Sequence, residues 1–394
     1  MRILLANDGV GDPGGVQRYL EGISSALRAR GHELALLHLD PVRSPSDSPI
    51  GPAGAHFCAA DRGVDGAVQA GMAWRPHVVF SHNMRALDVD RLLCSRAPVV
   101  KMMHGYFGTC IGGQKMHAFP HRVACERTFG ASCRVLYLPR RCGAWGVHAM
   151  AVQYAWARAQ QEAWGGYRSV VVASDHMRRE YQRNGMAGDR LVVNPLFTTD
   201  LPEQAAAAPA DFRVVFLGRM TPLKGGDHLV RAVSMASRSL GAPIRLTMAG
   251  DGPARAAWAR LSESLGVAAE FPGWVGERQR RALYRSASLV AVPSLWPEPF
   301  GLTGLEGGAF GAAAVAYNVG GISTWLHDGE NGWLIDPHSG PDGLARAIVH
   351  AASEPETLAE RRRGARLVAE HLSLERHVAA LEILLRGSSA EGDR

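Results

Sequence analysis

Arg219 and Lys224 lie five positions apart in G-R-M-T-P-L-K-G-G, at the end of the apolar run R-V-V-F-L-G at 213–218. A strand ending in such a loop delivers it to the start of the next helix, where unpaired backbone N–H groups and the helix dipole favour an anion. Arg brings a fork of donors and Lys a compact point charge, a combination suited to a diphosphate. The lysine is notable because the chain has three, Lys101, Lys115 and Lys224, against 40 arginines. The ordinary alternative is a solvated lysine at a helix start.

A second constellation follows the run S-L-V-A-V-P-S at 288–294. In P-S-L-W-P-E-P-F-G-L-T-G-L-E, Glu298 and Glu306 stand eight positions apart around the loop F-G-L-T-G. If Thr303 opens a helix, Glu298 precedes the loop and Glu306 lies about one turn inside. A carboxylate accepts two hydroxyls at once, so the pair suits ribose and sugar recognition. Taken alone, such carboxylates are often solvated; here they share a domain with the Arg219/Lys224 loop.

These segments need elements to hold them. R-I-L-L-A, the Gly-rich N-D-G-V-G-D-P-G-G and V-Q-R-Y-L-E-G-I-S-S-A-L-R-A-R read as strand, loop and helix, followed by the strand E-L-A-L-L-H-L. Further apolar runs at 78–80, 99–103 and 169–173 precede a linker at 197–211, and the pattern restarts at 213–218, 244–250, 288–294 and 312–317. Strands alternating with helices imply parallel sheets covered on both faces. At 394 residues the chain exceeds one core, so two α/β domains in tandem are expected. We set them at 1–200 and 201–372, with a C-terminal helix and frayed tail at 373–394 for which packing back on the first domain is open. Ligands of open α/β sheets bind beyond the carboxyl ends of the strands, which predicts a site in the cleft between two facing domains.

Composition narrows the class. No run of about 18 apolar residues occurs, and the N-terminus turns acidic at Asp8, which argues against membrane-spanning and exported readings. Six cysteines, all within the first 142 residues, are too sparse for a disulfide scaffold and fit a reduced, cytoplasmic compartment. The net charge of +6 divides as +7 over residues 1–200 and −1 over the remainder. A basic first half suits an anionic membrane surface, nucleic acid or an acidic substrate, or simply a solvated surface. Without a helix-turn-helix, zinc-finger or RNA-binding signature, nucleic acid is set aside.

In the order G-R-M-T-P-L-K-G, A-G-D-G-P at 249–253, F-P-G-W-V at 271–275, the Glu298-x7-Glu306 segment and G-G-I-S-T-W-L-H-D-G-E-N-G-W-L at 320–334, the chain resembles the retaining glycosyltransferase family 4, the group 1 type with a GT-B fold. Gly14 and Gly15, L-R-A-R-G-H at 27–32 and M-H-G at 103–105 extend the resemblance over nearly the whole chain. The resemblance implies two Rossmann-like domains facing across a deep cleft, and a sugar moved from a nucleotide-diphosphate sugar (UDP-, GDP- or ADP-linked) to a hydroxyl of a glycan, lipid-linked or small-molecule acceptor. It implies no required cofactor or metal. Arg219 and Lys224 would hold the diphosphate and stabilise it as it leaves. Glu306 would bind the ribose, Trp274 and Val275 would border the base, and Glu298 with the backbone of Phe300, Gly301, Leu302 and Thr303 would hold the sugar. Gly14 and Gly15 would let the first domain approach the phosphate, and His104 would hydrogen-bond the donor sugar near its anomeric carbon. Catalysis would fall to His104, Glu298, Arg219 and Lys224. Where the family usually has Glu in G-G-x-x-E this chain has Thr324, and its usual P-N appears as Asn194-Pro195.

Other readings remain open at this level. A GT-B sugar phosphorylase or nucleotide-sugar isomerase would share the fold, as would a non-catalytic sugar-nucleotide-binding homologue, although the latter has no need of His104, Arg219, Lys224, Glu298 and Glu306 together. Asp88-Val89-Asp90 has the form of a metal-holding D-x-D but reads as part of a helix. The early Gly-rich loop lacks G-x-G-x-x-G, against a dinucleotide site. Residues 105–145 form a basic insert with Cys110, Cys125, Cys133 and Cys142, whose spacing lacks a C-x-x-C knuckle; they are a structural zinc site or independent thiols. His117, His121 and His148 nearby read as acceptor-side or surface residues. The basic first domain would face the acceptor, with peripheral contact to the inner leaflet of the membrane as a further expectation.

Overall fold

The computed structural model describes residues 1–9, 14–41, 48–51, 54–84, 86–206, 209 and 211–389. Part of the Gly-rich loop (10–13), three positions of the expected linker (207, 208 and 210) and the end of the expected tail (390–394) lie outside the described residues. The chain divides into two units: Met1–Lys115, Glu126–Pro195 and Leu374–Arg394 form the first, and Met116–Cys125 and Leu196–Ser373 the second. The division departs from a serial one in two respects. A ten-residue piece of the Cys-rich insert joins the second unit, and the C-terminal helix Leu374–Gly387 joins the first.

In the first unit β1 (Arg2–Asn7), β2 (Glu33–His38), β3 (Ala55–Cys58), β4 (Val78–Ser81) and β5 (Val99–Met103) form one sheet with two later strands. Between them in sequence lies the antiparallel hairpin of β6 (Met116–His117) and β7 (Val123–Ala124), which belongs to the second unit. The later strands are β8 (Ser169–Val172) and β9 (Leu191–Val193), and the order is β3-β2-β1-β4-β5-β8-β9, parallel throughout. The second unit's sheet comprises β10 (Arg213–Leu217), β11 (Arg245–Ala249), β12 (Ala269–Gly273), β13 (Leu289–Val292), β14 (Ala313–Tyr317) and β15 (Gly332–Ile335). Its order is β12-β11-β10-β13-β14-β15, again parallel. Central strands buried on both faces read as continuous apolar runs, which is why I-L-L-A and V-V-F-L announce themselves. Short or edge strands do not: β12 alternates exposure and carries Pro272, as edge strands can.

Each sheet reverses direction beside its first strand, between β1 and β4 and between β10 and β13. These are topological switch points, where loops diverge and leave a crevice. The segment expected as a linker is packed against the second unit. Arg362 donates to the carbonyl of Ala206 at 3.2 Å and Arg366 to that of Pro202 at 2.7 Å, while Asp200 pairs with Arg280 and Arg281.

Two buried polar clusters hold the first unit. Lys101 lies inside the sheet, donating to Asp90 Oδ2 at 2.6 Å and Ser81 Oγ at 3.0 Å, and the hydroxyls of Ser81 and Tyr167 also donate to Asp90. Asp90 is thus the counter-ion of Lys101, whereas Asp88 is exposed beside Arg91, so the two halves of D-V-D do not face one ligand. The second cluster ties down the C-terminal helix. His377 shares a 2.7 Å hydrogen bond with the carbonyl of Pro195 through Nδ1, leaving Nε2 to accept from the Tyr19 hydroxyl at 3.0 Å. Tyr19 also meets His82 and His104 edge-on. Burial lowers the His377 pKa to about 4; burial and then Lys101 lower that of His104 to about 3, and His82 is held well below the ordinary value chiefly by burial.

Two stability predictions follow from these clusters. Lys101→Met leaves Asp90 buried without its cation and should cost about 3–5 kcal/mol in urea unfolding, with much of the loss recovered in Lys101→Met/Asp90→Asn; an unchanged midpoint for the single variant would refute the pairing. Histidines with depressed folded pKa values bind protons more readily when unfolded, so their contribution is intact above about pH 6.5 and declines on acidification. Between there and the folded pKa each such histidine should remove about 1 kcal/mol per pH unit. His377→Gln should therefore flatten the acid limb of a stability-versus-pH curve.

Candidate active site

The loops leaving β10 and β13 meet at the second unit's switch point. Lys224 donates to Glu298 Oε1 at 2.6 Å, and its ammonium lies 5.5 Å from the Trp296 ring centroid. The Ser294 hydroxyl makes a short hydrogen bond to the same carboxylate oxygen. The two loops touch through their backbones as well, with Leu295 N–H donating to the Leu223 carbonyl at 2.8 Å. Gly225 turns the chain there with φ 64°, and a Cβ would fall 2.0 Å from the Pro293 carbonyl oxygen, so no other residue fits. The Glu298 carboxylate is almost fully buried, while 28% of the Lys224 side chain is exposed. Arg219 is exposed at the end of the same strand, and no hydrogen bond or ion pair engages its guanidinium among the described residues.

Glu298 is fixed from behind by the glycine pair at 320–321. Gly321 N–H donates to the Glu298 carbonyl at 2.7 Å, and at Gly320 a Cβ would strike that carbonyl oxygen at 2.2 Å. Thr324 closes the following short turn, its N–H donating to Gly321. The helix Leu302–Ala309 begins one residue before Thr303, with Gly301 as its N-cap. Its first-turn amides have no intrahelical acceptors. Phe300 is buried, and its carbonyl accepts from Trp325 Nε1 at 2.7 Å. Glu306 lies one turn inside and is buried; it accepts from the Tyr284 hydroxyl at 2.6 Å and faces Arg280 at 3.0 Å.

The neighbouring strand ends join this group. Met220 N–H donates to the Asp251 carbonyl and Gly250 N–H to the Gly273 carbonyl, both at 2.7 Å, so A-G-D-G-P stitches the Arg219 loop to the end of β12. Trp274 follows that strand, 66% exposed, with Val275 half-buried beside it. Two strand spacings, about 10 Å, separate this edge from β10.

In the first unit His104 follows β5, and its Nε2 shares a 3.1 Å hydrogen bond with His82 Nδ1. A cavity of about 530 Å³ opens at the ends of β1 and β4, lined in part by Asn7, Gln17, His82, Asn83, Trp156 and Gln160. His82 Nε2 and the side-chain carbonyls of Asn7 and Asn83 are buried there without a hydrogen-bond partner among the described residues. Gly14 and Gly15 precede and open the helix Gly15–Ala29, and a Cβ on either would meet nothing within 4 Å. Among the described residues nothing demands glycine at either position.

The four cysteines of the insert are free thiols, and among the described residues no three His, Cys, Asp or Glu side chains gather as a metal site. Cys125 lies in the second unit; Cys142, with Cys133 partly buried beside it, packs with Ile111 and Tyr137 in the first, where Cys110 is also buried. His121 lies in the second unit beside a small cavity with His228. Sequence reading missed Ser294, Trp296, Tyr284 and Arg280. The first two lie inside the segment singled out, while the others are placed by folding alone.

Residues 198–368 match the family model described as glycosyl transferases group 1. A D-inositol 3-phosphate glycosyltransferase of Rhodococcus erythropolis is 38% identical over 177 residues, 42% of this chain and 39% of that protein. One from Segniliparus rotundus is 26% identical over 388 residues, 90% and 80% of the two chains. The chain thus spans about two fifths of the length of relatives such as the first. Among solved structures, HepE of Anabaena in complex with UDP and glucose superposes with a TM-score of 0.70 at 17% identity, covering 98% of this chain and 100% of that one. A glycosyltransferase of Rickettsia africae gives 0.71 at 16%, covering 98% of each. Residues 198–368 are thus similar to the glycosyl transferases group 1 family, and the two parallel-sheet units have the fold of the GT-B glycosyltransferases.

Proposed function

We propose that the protein is a retaining, metal-independent glycosyltransferase that moves a sugar from a nucleotide-diphosphate sugar to a hydroxyl acceptor. The observation that carries the reading is the meeting of Lys224 and Glu298 at 2.6 Å, at the switch point where Arg219 also emerges. A cation and a buried carboxylate in contact provide for both parts of a sugar diphosphate: the charge of the phosphates and the hydroxyls of the sugar.

The chemistry follows from charge development. As the glycosidic bond to the diphosphate breaks, negative charge grows on the leaving oxygens and positive charge on the sugar ring. Arg219, Lys224 and the first-turn amides of Leu302–Ala309 stabilise the former, and Glu298 holds the sugar hydroxyls. The leaving diphosphate then takes the acceptor's proton on the same face, which preserves the anomeric configuration. Glu306, held by Tyr284, is assigned to the ribose, and Trp274 with Val275 to the base. His104, neutral near pH 7 by its lowered pKa, acts as a hydrogen-bonding group to the donor sugar and not as a charge.

The acceptor is assigned to the first unit's cavity, whose unpaired amide carbonyls at Asn7 and Asn83 suit donating hydroxyls and whose Trp156 suits a sugar or polyol face. Glycine at 14 and 15 leaves room for a phosphate beside that helix. D-inositol 3-phosphate glycosyltransferases among the relatives and UDP bound to HepE are compatible with a UDP-linked donor and a polyol acceptor. No described helix is long and apolar enough to cross a membrane. We place the protein in the cytoplasm, with the basic first half available to the inner membrane leaflet.

A thermal-shift screen with UDP-, GDP- and ADP-sugars should give one clear stabilising series, and silence from all three would remove the reading. With the donor so found, Lys224→Ala should lower turnover by about 10²–10³-fold in a protein that still folds, with a melting temperature lowered by the loss of the cation beside buried Glu298. Activity should persist in EDTA, and NMR of the product should find the donor's anomeric configuration retained; a near-wild-type Lys224→Ala rate or an inverted product would each sink the mechanism.

A further inference from the structure

The hairpin Met116–Cys125 comes from the first half of the chain yet packs within the second unit, and Arg122 on it reaches the segment that carries Lys224. Its Nη1 donates to the Pro222 carbonyl at 2.5 Å and to Asp227 Oδ1 at 3.2 Å, and its Nη2 to Asp227 Oδ2 at 2.5 Å. Pro222 opens the turn that ends at Lys224, and Asp227 lies in the first turn of the helix that follows, Gly226–Leu240. One planar guanidinium therefore spans the loop from entry to exit. A bidentate Arg–carboxylate pair fixes direction as well as distance, which a lysine could not do.

Asp227 poses a problem that the hairpin resolves. A carboxylate in the first turn is favourable to the helix dipole but opposes an anion approaching the same terminus. Burial pushes its pKa up, and the Arg122 guanidinium more than reverses that, leaving it ionised below the usual carboxylate range. Both side chains are one-quarter exposed, and Arg122 lines a cavity of about 460 Å³ with Pro120, His121, His228 and Leu295, so the pair is partly screened by water. Neither Lys115 nor Arg127 of the same insert does this: Lys115 is buried against Glu180 and the Arg127 carbonyl, and the Arg127 guanidinium donates to Ser132 Oγ at 3.4 Å.

We infer that Arg122 is a positioning residue of the diphosphate loop: it clamps Pro222 to Asp227 around Lys224 and cancels the carboxylate charge beside the phosphate position. This rests on the proposed function, because it presumes that a diphosphate binds at Lys224. The basic insert then contributes to the donor site through one residue and not through its net charge.

Calorimetric titration of UDP, GDP and ADP, and of the corresponding nucleosides, into wild type, Arg122→Ala, Asp227→Asn and the double variant tests it. Arg122→Ala should weaken the diphosphate that wild type binds by tenfold or more and leave the nucleoside within twofold. Adding Asp227→Asn should restore at least half of the loss on a logarithmic scale, because the uncancelled charge is gone. Arg122→Lys, which keeps charge without the fork, should fall between and serves where the alanine variant does not fold. Equal affinities of wild type and the Arg122 variants, an equal loss on the nucleoside, or no recovery in the double variant overturns the inference. Wild type that binds none of the nucleotides overturns the proposed function itself, and this inference with it.

Discussion

The contact between Lys224 and Glu298 is the constraint around which the second unit's ligand end is arranged. A carboxylate this buried costs several kcal/mol in desolvation unless cation and hydrogen bonds repay it. Lys224 and Ser294 supply both, and the attraction of unit charges 4 Å apart near a protein surface is about 4 kcal/mol before screening. The contact requires two loops from different strands to touch. That explains the missing side chain at Gly225, packed on the Pro293 carbonyl, and at Gly320, packed on the Glu298 carbonyl. The glycines of both motifs are thus the steric counterpart of one ion pair, and the motifs belong together because they are the two sides of a single junction.

That junction changes what the rarity of lysine means. Each of the three lysines pairs with a carboxylate: Lys101 with Asp90 at 2.6 Å, Lys115 with Glu180 at 2.8 Å and Lys224 with Glu298 at 2.6 Å. A compact ammonium suits such monodentate, confined sites better than a guanidinium, whose five donors would all need partners. Choice of lysine therefore marks a tight pairing and not a phosphate site as such. Exposure makes the distinction: Lys101 and Lys115 are sealed, and Lys224 is open on one side, able to share its charge with an arriving ligand.

How far the sequence can be read depends on the distance over which residues act. The central strands and the loops after β10 and β13 were legible because apolar runs and glycine spacing are local properties. Glu306 could be placed one turn into a helix by counting, with an error of one residue at its start. Lys101 had no readable role, since its partner Asp90 sits in a separate segment read simply as part of a helix; only the fold turns one aspartate of D-V-D inward and the other out. Tyr284 and Arg280 hold Glu306 from a different helix, and nothing in their own neighbourhood announces it. The four cysteines are only partly kept together: Cys133 packs beside Cys142 and has its pKa raised by burial and then by nearby Cys110, while Cys125 belongs to the second unit.

The chain crosses between its units after Lys115, Cys125, Pro195 and Ser373, so neither is a continuous stretch of sequence. A boundary near 200 describes the sheets well but misassigns the parts that finish them. The first unit needs the helix Leu374–Gly387, whose His377 receives the Tyr19 hydroxyl and whose Glu382 meets Arg30 and His32. The second needs the hairpin that brings Arg122 to Asp227. The uneven charge of the two sequence halves, +7 against −1, becomes +6 against 0 when summed over the two units, so the excess positive charge stays with the first unit. At least one of the first half's cations is spent on the donor loop, against an aspartate of the second half. The functional unit of charge here is the local pair, and the net sum over a half-chain says little about which ligand either half will meet.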